Sequence, residues 1–130
     1  MKTLLLLLSA VYGWADETSD LKAVERKWAA RFYMDDWRVS LRLAENAELE
    51  LHCGAPCVAA SKFKLADKTG EILVLCQKCY TARQKDWIRS QGRTLKEDQR
   101  DSVVHELLHN IWANAEEEFA IAMLTKLFKP

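Results

Sequence analysis

Three side chains near the end of the chain have the residue types and spacing of a metal site. His105 and His109 enclose Glu106, so residues 105–109 form the pattern HExxH. On a helix, residues four apart lie on the same face, so both imidazoles can reach one metal ion. The expected metal is zinc, because two imidazoles, one carboxylate and a water form the open tetrahedral site of hydrolytic enzymes. Glu106 would take a proton from that water and pass it to the leaving amine.

The alternative is a helix that carries two histidines by chance and binds no metal. The chain has only three histidines, however, and two of them are in the motif. Thr94, with Glu97 three residues later, forms a capping-box signature that predicts the beginning of a long helix, and the motif lies inside this helix. A helix is the context that the motif needs, so these features favour the metal site.

Four cysteines form two close pairs, which offer a different kind of site. Cys53 and Cys57 are separated by three residues, and Cys76 and Cys79 by two. In a reducing compartment, four thiolates with this spacing would hold a structural zinc ion. In an oxidising compartment, we expect two disulfides across the ends of the hairpin strands between the pairs, with a connectivity that the sequence leaves open. Free thiols are a third alternative.

The N-terminus has the three-part pattern of a secretory signal peptide. Lys2 precedes a leucine-rich stretch, small residues stand at Gly13 and Ala15, and an acidic segment follows. We therefore predict cleavage after Ala15, which leaves residues 16–130 as one domain in a secreted or periplasmic protein. In the alternative, residues 1–15 are the apolar start of the first helix of a cytoplasmic protein.

Length and composition indicate one packed domain. The 130 residues are 49% hydrophobic and 29% charged, with four Gly and two Pro, which is typical of globular chains and not of disordered ones. The chain is too short for a two-domain enzyme. Nineteen basic residues balance nineteen acidic ones, so we expect no nucleic-acid partner. No apolar run reaches the roughly 18 residues of a transmembrane helix, so we expect no membrane span.

Hydrophobic periodicity predicts the elements that position these residues. Helical spacing of apolar residues and alternation of apolar with polar ones mark the segments. They are a helix over 20–33, strands over 37–43 and 48–51, a hairpin from 62–65 and 72–75, the motif helix, and a final helix over 116–128. The last strand of the hairpin is continuously apolar, which predicts an interior position in the sheet. The order of elements predicts an α+β domain with a small, mostly antiparallel sheet.

The motif and its flanks carry a family resemblance. Residues 102–109, Ser-Val-Val-His-Glu-Leu-Leu-His, followed by an acid-rich helix, resemble the zincin superfamily of metallopeptidases. The order of elements is similar to that of the minimal gluzincin-like peptidases that phages and prophages often encode. The resemblance implies a zincin-like fold, a bound zinc ion and hydrolysis of peptide bonds. The metzincin extension is absent, because Trp112 stands where that family has a turn-making Gly and Ala115 where it has a third histidine.

The resemblance also implies a third metal ligand. In gluzincin-like peptidases this ligand is a Glu on the helix after the motif, which here means Glu116, Glu117 or Glu118. Glu117 is the first choice because it lies to one side of the apolar stripe of that helix, and the other two are alternatives. The linker from His109 is shorter than in most members of the family. Acids also suit the first turn of a helix without any metal, because the helix dipole favours negative charge there.

The sequence thus predicts a zinc metallopeptidase. His105, His109 and Glu117 would bind Zn²⁺, with Glu106 as the general base and acid. A peptide or protein substrate would lie along an exposed sheet edge beside the metal. Two alternatives stay open, namely a non-catalytic zinc-binding zincin scaffold that serves a partner protein, and a secreted binding module stapled by its cysteines.

Overall fold

The computed structural model describes residues 2–111 and residue 125, with side chains described from Trp14 onward. In chain order the elements are α1 (Lys2–Arg31), β1 (Arg38–Ala44), α2 (Asn46–Cys53), β2 (Ala59–Lys64), β3 (Thr69–Leu75), a short 3-10 helix (Gln77–Cys79), α3 (Ala82–Ser90) and α4 (Leu95–Ile111). This mixture of helices with one small sheet confirms the predicted α+β class.

The sheet has three strands in the order β1-β3-β2. β3 is the central strand, as its apolar sequence predicts, and its residues from Ile72 to Leu75 are at most 1% exposed. β2 and β3 form the predicted hairpin, with Ser61 opposite Ile72. β1 pairs with β3 in parallel, with Leu41 opposite Ile72. The sheet is therefore mixed, which corrects the prediction of a mostly antiparallel one.

The segment between β1 and β2 is the helix α2, and the strand predicted over 48–51 is wrong. The helix ends where Gly54 takes a positive φ of 72° and its N–H donates to the carbonyl of Glu50 at 2.8 Å. Leu49 is fully buried while Leu51 is 87% exposed, so the two leucines do not share a face as they would in a strand. Because a helix separates β1 from the hairpin, β1 can run parallel to β3.

Apolar side chains pack against both faces of the sheet. One cluster lies between the sheet and the helices α1 and α4. Its buried members are Leu21, Trp28, Ala29, Met34, Leu41, Leu43, Ile72, Val74, Cys76, Val103, Val104, Leu107 and Leu108. The other cluster lies between the opposite face and the helices α2 and α3. Its buried members are Ala44, Leu49, Ala60, Leu73, Leu75, Tyr80 and Ile88. The sheet is thus covered on two sides.

α1 is longer than the helix predicted over 20–33, because it begins at Lys2. Its inward stripe includes Leu21 and Trp28, which are at most 3% exposed. Cleavage after Ala15 stays a prediction, since most of the segment before it lies outside the described side chains. Among the residues that are described, none of the helices has the length and apolar character needed to cross a membrane.

α4 is the helix predicted to carry the motif. It begins with the predicted capping box, in which the N–H of Glu97 donates to Thr94 Oγ1 at 3.1 Å and the N–H of Thr94 donates to Glu97 Oε1 at 3.2 Å. Val103, Val104 and Leu107 are fully buried against the sheet. This packing fixes the rotation of α4 about its axis and therefore the direction of the motif side chains.

Candidate metal centre

The two histidines of the motif lie one turn apart on α4. The Nε2 atoms of His105 and His109 are 3.1 Å apart, and the ring planes meet at 74° with their centroids 4.8 Å apart. Both side chains are partly exposed. The helix therefore brings the two imidazole nitrogens to one point, as the spacing predicts.

The carboxylate of Glu106 lies beside the two imidazoles. Glu106 is 6% exposed, and its Oε1 accepts a hydrogen bond from Ser61 Oγ at 2.9 Å. Taking one ligand atom from each of His105, Glu106 and His109, all three atoms lie within 4.8 Å of one another. These three residues could hold a metal ion.

The donor set is compatible with zinc. Zn–N bonds of about 2.05 Å in a tetrahedral site place two imidazole nitrogens about 3.3 Å apart. The 3.1 Å between the Nε2 atoms of His105 and His109 is close to that value. The same distance also suits a hydrogen bond from one neutral imidazole to the other, so the pair would stay together without a metal.

Polar contacts in the first half of α4 tie the helix to the rest of the fold. The side-chain amide of Gln99, which is 1% exposed, donates to the carbonyl of Leu75 at 2.9 Å, at the end of β3. Arg100 Nη2 donates to Asp20 Oδ1 of α1 at 2.8 Å. The hydrogen bond from Arg100 lowers the pKa of Asp20, helped by the charge of the guanidinium. The motif therefore lies on a helix that is anchored to both the sheet and α1.

A partly buried polar network lies between Tyr80 and the part of α4 that precedes the motif. The hydroxyl of Tyr80 donates to Asp98 Oδ2 at 2.7 Å, and Arg93 Nη1 donates to Asp98 Oδ1 at 3.1 Å while its Nη2 pairs with Asp101. Burial raises the pKa of Tyr80, and the negative charge of Asp98 raises it further. Burial also raises the pKa of Asp101, against the opposing charge of Arg93. Tyr80 therefore stays a neutral donor, and Arg93 joins two carboxylates at the start of α4.

The cluster opens into a groove between α4 and β2. In the described part of the chain β2 is an edge strand, because it pairs with β3 on one side only. Trp37, Phe63 and Leu65 add apolar surface to the groove, and Leu65 is 77% exposed. Arg93 and Asp101 add charged groups. The groove is therefore open to solvent and long enough to border several residues of an edge strand.

The structure describes three of the predicted metal-site residues and leaves the candidates for the third ligand outside its described part. His105, Glu106 and His109 come together on α4. The three candidates for the third ligand, residues 116–118, lie outside the described residues, as does most of the predicted final helix. Thr125, which belongs to that segment, is helical, 7% exposed and lines the same groove.

The four cysteines form two disulfides, Cys53–Cys57 and Cys76–Cys79, and no cysteine among the described residues is free. Each bridge closes its own sequence pair, so the expectation of bridges across the ends of the hairpin strands is wrong. The reason is local, because the turn at Gly54 and the 3-10 helix after β3 bring the Cα atoms of each pair to 6.4 and 5.1 Å. Sulfurs bonded in this way do not form the alternative structural zinc site.

Ser61 belongs to the site but is not among the predicted residues. It precedes Phe63 by two positions, so both side chains lie on the same face of β2. Phe63 packs against the cluster between the sheet and α4. The alternation that predicts the hairpin could therefore have placed Ser61 on the same face as Phe63, and a hydroxyl on that face can reach the motif on α4.

No protein-family model matches this chain, and neither a curated protein nor a solved structure is significantly similar to it. The chemistry of the site is therefore inferred from its own residues.

Proposed function

We propose that this chain is a zinc-dependent peptidase. The proposal is carried by one observation, the approach of the Nε2 atoms of His105 and His109 to 3.1 Å beside the buried carboxylate of Glu106. Two imidazoles one turn apart, with a Glu after the first, are the protein groups of a catalytic zinc site that leaves a position open for water.

His105 and His109 would hold the metal, with a third ligand from residues 116–118 and Glu117 as the first choice. A bound zinc ion supplies Lewis acidity, which makes water reactive near neutral pH. Glu106 would accept the proton of the attacking water and deliver it to the nitrogen of the leaving amine. The burial of Glu106 supports this role, because a base shielded from bulk water exchanges its proton with the reactants.

The substrate that we propose is an extended peptide. β2 borders the groove, and its side away from β3 has no strand partner in the described sheet. An extended peptide can add to such an edge through backbone hydrogen bonds, which require no particular side chain. The contact between Ser61 and Glu106 lies in the middle of β2. A peptide along this edge would therefore carry its backbone past the motif.

The two disulfides support a secreted or periplasmic location within this proposal, because disulfides persist in oxidising compartments. Cleavage after Ala15 would remove Trp14, which packs against the cluster between the sheet and α4, but it would leave the polar contacts of Glu17. Glu17 accepts hydrogen bonds from the N–H of Gln77 at 3.2 Å and from the amide of Gln99 at 3.3 Å. These two contacts, which tie α1 to the 3-10 helix and to α4, would remain in the cleaved chain.

Metal content and peptide hydrolysis, measured on the same preparations, test the proposal. We expect one zinc per chain, lost in His105→Ala and kept in Glu106→Gln. Hydrolysis of a mixed peptide library should fall by about 10²- to 10⁴-fold in Glu106→Gln, the range for a lost general base. The matched controls change exposed residues of α2. His52→Ala should keep the zinc, and Glu50→Gln, which lies outside the groove, should alter neither property.

Each outcome separates the alternatives. Hydrolysis at the wild-type rate by Glu106→Gln would contradict the role of this residue as base. Zinc without hydrolysis in the wild type would favour a non-catalytic scaffold. Absence of zinc from the wild type would favour a binding module held by its disulfides.

A further inference from the structure

We propose that the hydroxyl of Ser61 keeps Glu106 out of the coordination shell of the bound metal, so that this carboxylate remains available as a base. The proposal rests on the metal site of the proposed function but does not depend on hydrolysis. It concerns which of two positions the Glu106 carboxylate takes, one on Ser61 and one on the metal.

Glu106 lies close enough to become a ligand. One of its oxygens is within 4.8 Å of the ligand atoms of both His105 and His109. A carboxylate oxygen is an ordinary zinc ligand, with a bond of about 2.0–2.2 Å. A change of side-chain rotamer would therefore bring Glu106 onto a metal held by the two histidines. In that position its oxygen would be bound to the metal, and the carboxylate could not accept a proton from water.

Ser61 restrains the carboxylate through a hydrogen bond to Oε1 at 2.9 Å. The backbone of Ser61 is fixed in β2 opposite Ile72, a fully buried residue of the central strand, so the hydroxyl has a defined position. Glu106 is 6% exposed, so water competes weakly for its oxygen. Hydrogen bonds to an ionised group in such surroundings are among the strong ones. The hydroxyl is therefore able to compete with a metal for the carboxylate.

This role predicts a direction that a merely structural role does not. Loss of the hydroxyl would free Glu106 to bind the metal, which adds a ligand and tightens metal binding while the base is lost. If Ser61 only supported the packing of β2 against α4, its loss would loosen the site and weaken metal binding. The sign of the change in metal affinity therefore distinguishes the two roles.

The test measures Zn²⁺ affinity by competition with a chromogenic chelator, together with the visible absorption of the Co²⁺-loaded protein, which reports on the ligands of the metal. We expect Ser61→Ala to bind Zn²⁺ about tenfold more tightly than the wild type, at the low end of the roughly 10- to 100-fold size of such neighbour effects but with the opposite of their usual sign. Its Co²⁺ spectrum should differ from that of the wild type. In the Glu106→Gln background, Ser61→Ala should change neither property, because the side chain on which it acts has lost its charge.

Two further comparisons control for folding and for the substitution itself. Ser61→Thr keeps the hydroxyl and should match the wild type. Ser61→Val, which has the shape of Thr without the hydroxyl, should match Ser61→Ala. Both residues favour strands, so the pair remains informative where alanine disturbs β2. Ser40→Ala removes a strand hydroxyl that contacts the carbonyl of Gly70 outside the groove and should leave metal binding unchanged.

Equal or weaker Zn²⁺ affinity in Ser61→Ala and Ser61→Val would overturn the proposal. An increase that persists in the Glu106→Gln background would overturn it as well, since the effect would not pass through the carboxylate. If the wild type binds metal and shows the expected affinities but hydrolyses no peptide, only the proposed function fails. If the wild type binds no metal, both fail.

Discussion

Adding a methyl group at Gly70 tests how the strand that borders the groove is packed. Gly70 of β3 lies opposite Phe63 of β2, and a Cβ there would lie 2.3 Å from Phe63 Cδ1 and 2.5 Å from Cε1. A favourable contact between carbon atoms needs about 3.5–4.0 Å. The ring would have to rotate away and would lose its edge-on contact with Trp37, whose ring centroid is 6.1 Å away. We expect Gly70→Ala to lower the free energy of unfolding by about 1–3 kcal/mol, the usual cost of overpacking.

The same substitution should have the opposite sign once the ring is removed. In a Phe63→Ala background the new methyl group meets no aromatic ring. Gly70 does not have a positive φ, so alanine can adopt its backbone conformation. Because alanine loses less conformational entropy than glycine on folding, we expect a gain of about 0.5 kcal/mol in that background.

Urea denaturation of the wild type, the two single variants and the double variant measures this cycle, provided that the denaturant slope is the same in all four. Gly54→Ala is the control, because Gly54 has a positive φ of 72° and no atom within 4 Å of an added Cβ. Its cost should be the same with and without Phe63. If Gly70→Ala destabilises both backgrounds equally, the ring is not the cause and the reasoning is refuted.

Two other predictions concern α1 and the second disulfide. Arg100 lowers the pKa of Asp20 in the folded protein, so the ionised Asp20 stabilises the fold. Asp20→Asn should therefore lower the free energy of unfolding by about 0.5 kcal/mol at pH 7, as the loss of a partly exposed ion pair does. The difference from the wild type should vanish as pH falls from about 4 through the folded-state pKa of Asp20. Unfolding followed across this pH range checks it, and a difference that does not shrink as pH falls below about 4 would contradict it. Replacing both Cys76 and Cys79 with Ser should lower the free energy of unfolding by about 2 kcal/mol, the entropy of closing a four-residue loop. A reductant should destabilise the wild type by about 2 kcal/mol more than the double variant, because it opens the Cys53–Cys57 bridge in both but the Cys76–Cys79 bridge in the wild type alone; equal sensitivity of both would contradict the prediction.

The motif helix was predictable because independent local signals agree there. The capping box of Thr94 and Glu97 marks its beginning, and apolar residues follow at helical spacing. The two histidines lie on one face of any helix with four-residue spacing. The His105, Glu106 and His109 cluster therefore needs no knowledge of the rest of the fold.

The short helices were harder to predict because each buries a single residue. In α2 the alternation of Leu with Glu imitates a strand, although only Leu49 is buried. In α3 only Ile88 is buried and Trp87 is 67% exposed, so no apolar stripe appears in the sequence. The usable signal for α3 is its capping box, formed by Thr81 and Gln84. With α2 taken as a strand, the parallel pairing of β1 and β3 could not follow.

The partner of Glu106 depends on tertiary structure. Ser61 lies 45 residues before Glu106, and their contact requires the register of the hairpin and the position of α4 on the sheet at the same time. Local patterns determine neither of these. The pairing of the cysteines is a different case, because it follows from two local turns whose geometry the spacing alone leaves open.

An open strand edge also exposes a protein to pairing with its own copies. Lys62 and Lys64 on β2 are exposed, and so is Arg38 on β1, the other outer strand of the described sheet. Two copies that met edge to edge would bring these positive charges together, and like charges opposite each other destabilise a strand pair. A neutral or acidic guest strand meets no such repulsion. The basic residues thus make each edge selective by charge, so that it resists aggregation while remaining able to accept another chain.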